Sequence, residues 1–184
     1  MPTYKVKLTE KRVLLLAFAV LCLVAAIALI QRMQPTVTAY TYNYKGVEVV
    51  FRANPVEALN VSVYPSDKAL LEAVMNASVK KIYVAFVDSK DNNLVAVNGF
   101  EVSNKLAIVF RLSGVQKTIK GLPVSSYNLT GTSSTLFIAL IPPALANTTG
   151  VWLEDNAIFI SGKTNKDFDL ATVRFLMSIM EVIV

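Results

Sequence analysis

Residues 158–177 read IFISGKTNKDFDLATVRFLM. Ala157 to Ser161 is a short apolar run of strand length, and Gly162–Lys163 ends it. Thr164 is followed three positions later by Asp167, the spacing of a capping box. There the threonine oxygen accepts from an otherwise unpaired N–H of the first helical turn. From about residue 167 to the end the chain is rich in Leu, Phe, Met, Ile and Val, which predicts a terminal helix. That helix carries Asp169, Arg174 and Glu181. Asp and Arg each cost about 2.5–3.5 kcal/mol at a bilayer centre, so a helix packed on a sheet is the better reading than a second span. A helix lying on the bilayer surface is the alternative.

Upstream, the pattern repeats the pairing of short strands and helices. Val151–Leu153 and Ala157–Ser161 flank a Glu–Asp–Asn turn, and Leu136–Ile141 reads as a buried strand stopped by Pro142–Pro143. Residues 113–134 read as loop. Glu101–Leu112 fits a helix better than a strand, Leu94–Val97 reads as a strand, and Asp88–Asn93 as a turn. Val79–Val87 is a strand with Ile82, Val84 and Phe86 on one face. Ser66 caps a helix whose first residue is Asp67 and whose apolar side is Leu70, Leu71, Val74 and Met75. With Val61–Tyr64 as a strand before it, residues 60–87 suggest a parallel crossover unit. Residues 36–44 and Val47–Arg52 form a hairpin about Lys45–Gly46. The expected class is α+β, with α/β as the alternative: one mixed-sheet domain over 36–184 with a C-terminal helix.

Before this domain lies VLLLAFAVLCLVAAIALI, residues 13–30, an unbroken apolar run of 18. As a helix it spans about 27 Å, close to a hydrocarbon core of about 30 Å. Lys5, Lys7, Lys11 and Arg12 precede it, and only Arg32 follows closely. The positive-inside rule makes residues 1–12 a cytoplasmic basic N-terminus, 13–30 a transmembrane signal-anchor held by membrane lipid, and 36–184 extracytoplasmic. Residues 31–35 are a short spacer; a few extended residues at about 3.3 Å each hold the domain within roughly 10–20 Å of the bilayer. The competing reading is a cleaved signal peptide, with Ala26–Ile27–Ala28 as its small-x-small site. Cys22 sits inside the run, with Leu21 before it and eight apolar residues after it, and reads as a small hydrophobe in lipid.

Composition removes several chemistries. Apolar residues make up 54 % of the chain and charged residues 17 %, with mean hydropathy +0.50. There is no histidine, which excludes His-based triads and His metal ligands. One cysteine excludes an internal disulfide. The net charge of +5 is concentrated: residues 1–34 carry five basic groups and one acidic, whereas the rest carries 13 basic and 12 acidic. A nucleic-acid binder needs its basic excess on the folded domain, so no nucleic-acid partner is expected. No glycine-rich phosphate loop occurs among the seven glycines.

Four sequons start at Asn60, Asn76, Asn128 and Asn147, all on the expected outer side, and are candidate N-glycosylation sites. Tyr40, Tyr42 and Tyr44 share one strand face, as a sugar platform or as cross-strand packing, packing being preferred. Asp88/Asp91, Glu154/Asp155 and Asp167/Asp169 are acidic pairs in turns. The first lacks a calcium-loop pattern, since Lys90 occupies a ligand position and no Gly follows. The third is explained by a helix N-terminus. Ser78 and Lys81 match a Ser–Lys spacing at a helix-to-strand join. None of these makes a convincing set, so no catalytic, cofactor-binding or metal residue is assigned.

YKGVEVVFRANP (44–55), VSVYPSDKALL (61–71) and IFISGKTNKDFDLATVRFLM (158–177), with the N-terminal anchor, resemble small, functionally uncharacterised membrane-anchored proteins of archaea. The resemblance implies no activity; surface glycosylation in such a setting fits sequons without cysteines. The sequence therefore points to a single-pass, membrane-anchored extracytoplasmic domain, more a binding or scaffolding module than an enzyme. Its partner would be another envelope or membrane protein. The alternatives are an accessory subunit of a membrane complex and an envelope hydrolase using carboxylate, Ser or Lys.

Overall fold

The structure, a computed structural model, describes residues 39–182. The anchor reading for 13–30, residues 1–12 and the spacer 31–35 lie outside the described residues. Among those described, no helix is long and apolar enough to cross a membrane.

The domain begins with a hairpin, β1 (Tyr40–Tyr44) against β2 (Val47–Phe51), antiparallel. Lys45 and Gly46 both have positive φ, at 50° and 86°. That is the turn whose twist matches a hairpin, and glycine takes the more extended position without strain. A one-turn helix, α1 (Pro55–Ala58), follows; the Asn54 side chain accepts from Val56 N, and Pro55 supplies a preset φ. Next come β3 (Val63–Tyr64), α2 (Asp67–Met75), β4 (Lys81–Phe86), α3 (Asn92–Leu112), β5 (Thr118–Pro123) and β6 (Thr135–Ile141). The antiparallel pair β7 (Gly150–Glu154) and β8 (Ala157–Ser161) leads into α4 (Asn165–Met180). Ser66 Oγ accepts from Ala69 N at the start of α2, and Thr164 Oγ1 accepts from Asp167 N at the start of α4, as both capping patterns require.

Six strands form one mixed sheet in the order β3–β7–β8–β6–β4–β5. β5, β4, β6 and β8 are mutually parallel, while β7 and β3 run the other way. The domain is thus α+β with a mixed sheet and a C-terminal helix. The helices lie on one face. Ile82 and Val84 of β4, Leu136, Ile138 and Leu140 of β6, and Ile158 and Ile160 of β8 point into a core shared with Leu106, Phe168, Phe175 and Leu176. α4 packs on β7 and β8 and against α1, α2 and α3, so all but a few of its residues are buried. A helix enclosed on every side is apolar nearly all round, which accounts for its composition. The hairpin joins this core through Tyr44, Val49 and Phe51.

Among the described residues no helix covers the opposite face. The chain from Val124 to Ser134 and the β6–β7 loop lie there, where Tyr127, Leu129 and Ala146 pack on Ala139, Ile141, Ala157 and Phe159. The Tyr127 hydroxyl donates to the Leu140 carbonyl and accepts from Val87 N at 3.2 Å, fastening that segment to β6 and the end of β4. Tyr83 stacks on Phe137 and Trp152 on Phe159 at 5.7 and 5.2 Å.

Three local expectations are corrected. Residues 60–87 are not a parallel crossover: β3 sits at the far edge of the sheet and runs opposite to β4. The crossover is β4–α3–β5, whose strands are adjacent and parallel. Leu94–Val97 is not a strand but lies in α3. Residues 113–134 are not all loop, since they contain edge strand β5.

Candidate functional site

α3 lies across the sheet with Gly99 at a close approach. A Cβ there would stand 3.4 Å from Leu140 Cδ1 and 3.8 Å from Val84 Cγ1, ordinary contact distances. β5 is the outer strand, and its Gly121 also lacks a side chain; the Phe86 ring lies 4.0 Å from where a Cβ would be. The two missing side chains leave an apolar groove of about 540 Å3, floored by Val84, Phe86 and Leu140 and walled by Val95 and Phe100. Phe100 is 73 % exposed, although it is the largest apolar group at the mouth. Val97, one turn before it on α3, is 41 % exposed. An exposed aromatic beside an apolar hollow is the arrangement that interfaces use as an anchor.

The opposite side of α3 is polar where it is buried. The Asn98 amide donates to the Leu94 carbonyl at 3.0 Å and to Asp169 Oδ1 at 2.9 Å, tying α3 to α4. Glu101 and Lys105 form a 2.7 Å ion pair with side chains only 5 % and 7 % exposed. The Lys105 amine also sits 5.2 Å from the Phe51 ring centre, which seats the hairpin.

A second hollow, near the end of α4, holds Asp67, Arg174 and Ser178. Arg174 grips Asp67 with both terminal nitrogens, at 2.6 and 2.8 Å, and the Ser178 hydroxyl donates to the same carboxylate. A serine donating to a carboxylate suggests a nucleophile, but the electrostatics oppose it. Burial pushes the Asp67 carboxyl up, yet the hydrogen bonds from Arg174 and Ser178 and the Arg174 charge prevail and hold it below the usual carboxylate range. A carboxylate held that low is a poor base. The cluster instead joins α2 to α4. Because its folded-state pKa is depressed, the pair stabilises the fold above about pH 4 and loses that contribution as pH falls through the lower folded value. The Asp67 side chain is 51 % exposed, so solvent screening keeps the effect within about 1 kcal/mol. In urea titrations of the full chain between about pH 3 and 6, Asp67→Asn should flatten the pH dependence of stability; an unchanged slope rejects this role.

The four sequon asparagines are all exposed. Asn60 follows α1, and Asn76 ends α2, where its Oδ1 accepts from Ser78 N at 2.9 Å. Asn128 and Asn147 lie in the loops of the helix-free face, and none of the four lines the groove. Tyr44 is buried and Tyr40 and Tyr42 pack on the same core, so the tyrosine stripe faces inward. Asp91 Oδ2 accepts from Ala144 N at 2.7 Å, and Asp88 accepts from Asn92 at 3.4 Å. Glu154 and Asp155 belong to the β7–β8 turn, with Asp155 and Asn156 at positive φ. Asp167 sits in the first turn of α4 as expected, but Asp169 does not serve the helix end: it takes the Asn98 hydrogen bond. Ser78 and Lys81 are both exposed, which leaves the lysine without the desolvation that an amine base needs. Among the described residues no three His, Cys, Asp or Glu side chains come together as a metal site.

Comparison with family models, characterised proteins and solved structures finds no match to this chain.

Proposed function

We propose that this chain is a single-pass, membrane-anchored extracytoplasmic binding module, and that the groove beside Phe100 receives an apolar segment of another envelope or membrane protein. The observation that carries the reading is the hollow left by Gly99 and Gly121 with a 73 % exposed phenylalanine at its mouth. The lining favours a mainly apolar occupant, because Phe86, Ala96 and Phe100 offer accessible apolar area, with Asn92, Asn93 and Ser103 as its polar members. The anchor at 13–30 and its short spacer favour a neighbour in or at the same membrane. The four exposed sequons, none of them in the groove, would leave it open if they carry glycans. An accessory subunit of a membrane complex would use the same surface in the same way.

Photo-crosslinking in intact membranes tests this. With p-benzoylphenylalanine in place of Phe100, one adduct should form, joined to an apolar stretch of a second envelope protein. The same probe at exposed Glu154 serves as control. Gly121→Leu, which fills the groove, should cut the yield about tenfold, equivalent to roughly 1.4 kcal/mol. No adduct, an adduct containing only a second copy of this chain, or a yield indifferent to Gly121→Leu defeats the proposal. Protease and glycosidase added to intact cells check the topology: both should reach residues 36–184, and full protection until lysis rejects the extracytoplasmic placement.

A further inference from the structure

A third hollow, of about 760 Å3, opens where α3 ends and β4 and β5 begin. Its chemistry is unlike that of the groove. Lys80, Arg111 and Lys117 line it, with Phe110 and Ile119 as apolar backing. Lys81 and Lys120 follow on the adjoining strands, both exposed. The four ion pairs among the described residues join Lys68 to Glu72, Lys105 to Glu101, Lys166 to Glu57 and Arg174 to Asp67, so they use none of these five cations. Of the nine Lys and Arg side chains outside these pairs among the described residues, five thus gather near the start of two strands; Lys45, Arg52, Lys90 and Lys163 are the others.

The lysines are also held in place. Lys117 Nζ donates to the Asn76 carbonyl at 2.6 Å, and Lys80 Nζ donates to the adjacent Ala77 carbonyl at 2.8 Å. Lys117 lies 5.8 Å from the Phe110 ring centre. Two ammonium groups are therefore fixed on successive peptide units. One role is local: the amines satisfy carbonyls of the turn that follows α2. The Asn76 carbonyl already accepts from Val79 N at 3.1 Å, so it does not need Lys117. A second ammonium beside the first, with a guanidinium across the hollow, adds repulsion that capping does not require. Burial first, and the neighbouring Lys80 charge second, push the Lys117 amine down from its ordinary range. Each ammonium has three donors and spends one on a carbonyl, leaving donors for a further acceptor.

We infer that Lys80, Arg111 and Lys117 form a binding site for a phosphate-bearing anion. Two fixed point charges and a planar guanidinium suit a group with several acceptor oxygens and more than one line of approach. A lipid headgroup and a small soluble phosphate present the same chemistry here, and the experiment separates them. The site is independent of the groove and stands whether or not the groove has a partner.

Amine labelling of the full chain, read residue by residue by mass spectrometry, provides the test. A partly desolvated amine with a lowered pKa reacts early with an acylating reagent at neutral pH, and a bound anion should slow it. In neutral detergent, replacing chloride by inorganic phosphate at constant ionic strength should reduce labelling of Lys117 and Lys80 at least about threefold. Exposed Lys163 should not change. In nanodiscs without phosphate, phosphatidylglycerol should give the same protection relative to phosphatidylcholine if a headgroup is the ligand. Protection in either arm supports the site and names its source. Arg111→Gln should remove the protection while thermal unfolding stays close to wild type, because Arg111 is exposed. Unchanged labelling in both arms, equal protection of Lys163, or protection that survives Arg111→Gln overturns the inference.

Discussion

Gly162→Ala should be among the most damaging single-methyl additions in the domain, costing about 3 kcal/mol or more. A Cβ at this position would overlap the backbone N and Cα of Phe168 and lie 2.6 Å from the Asp167 carbonyl carbon. Those atoms belong to the first turn of α4. That turn cannot yield easily: Thr164 Oγ1 fixes its start, and Phe168 is fully buried in the core. The reason is space, not backbone conformation, since Gly162 is not among the positive-φ residues. In thermal unfolding of the full chain in detergent the midpoint should fall by about 6–12 °C. Gly99→Ala is the contrasting control. Its added methyl meets only ordinary contacts, and alanine favours helix over glycine by about 1 kcal/mol, so stability should hold or rise slightly. A Gly162→Ala protein within about 1 kcal/mol of wild type would contradict the packing described for the β8–α4 junction.

The second large effect is expected at the buried pair on α3. Glu101→Ala leaves the Lys105 ammonium at 7 % exposure without its anion, which should cost about 3–5 kcal/mol. Lys105→Ala should cost a similar amount by stranding the carboxylate. Glu101→Leu combined with Lys105→Met removes both charges and roughly keeps the volume. That double variant should lie near wild type or above it, because two desolvation penalties disappear together. A double-mutant cycle by urea unfolding measures the coupling, and single substitutions that merely add would show that the pair does not act as a unit. The same pair seats the hairpin, since Lys105 lies against Phe51. The charged singles should therefore also expose Phe51, Val49 and Tyr44, read as faster hydrogen exchange across β1 and β2.

Much of α4 could be read in advance. Its cap, its preceding strand and its apolar composition are all local, and Thr164 and Ser66 do what their positions predict. α3 hid its first two turns for a physical reason. Val95, Val102, Leu106 and Val109 keep helical spacing, but in the missed turns the buried position between Val95 and Val102 is filled by Asn98, and Glu101 and Lys105 continue the polar stripe beyond them. Polar residues at core positions break an apolar pattern, and only their partners on α4 and within α3 make them affordable. β5 hid because TIKGLP carries a lysine, a glycine and a proline, which mark an exposed edge strand as readily as a loop.

Neither the groove nor the basic hollow was legible from sequence. The groove needs two absent side chains, one on a helix and one on an edge strand, brought together by parallel pairing of β4 and β5. The basic hollow needs Lys80 and Lys117 to reach adjacent carbonyls from different strand starts. The sequence alone determined the local elements governed by caps, turns and short apolar runs, along with the chemistries that a chain without histidine cannot perform. Tertiary structure decided the strand order, the direction of β3 against β4, the buried polar positions and both hollows. Caps and turns act over a few bonds and leave their mark on neighbouring residues. Strand pairing and cavities depend on which distant surfaces meet, and that is settled by burying the whole core at once.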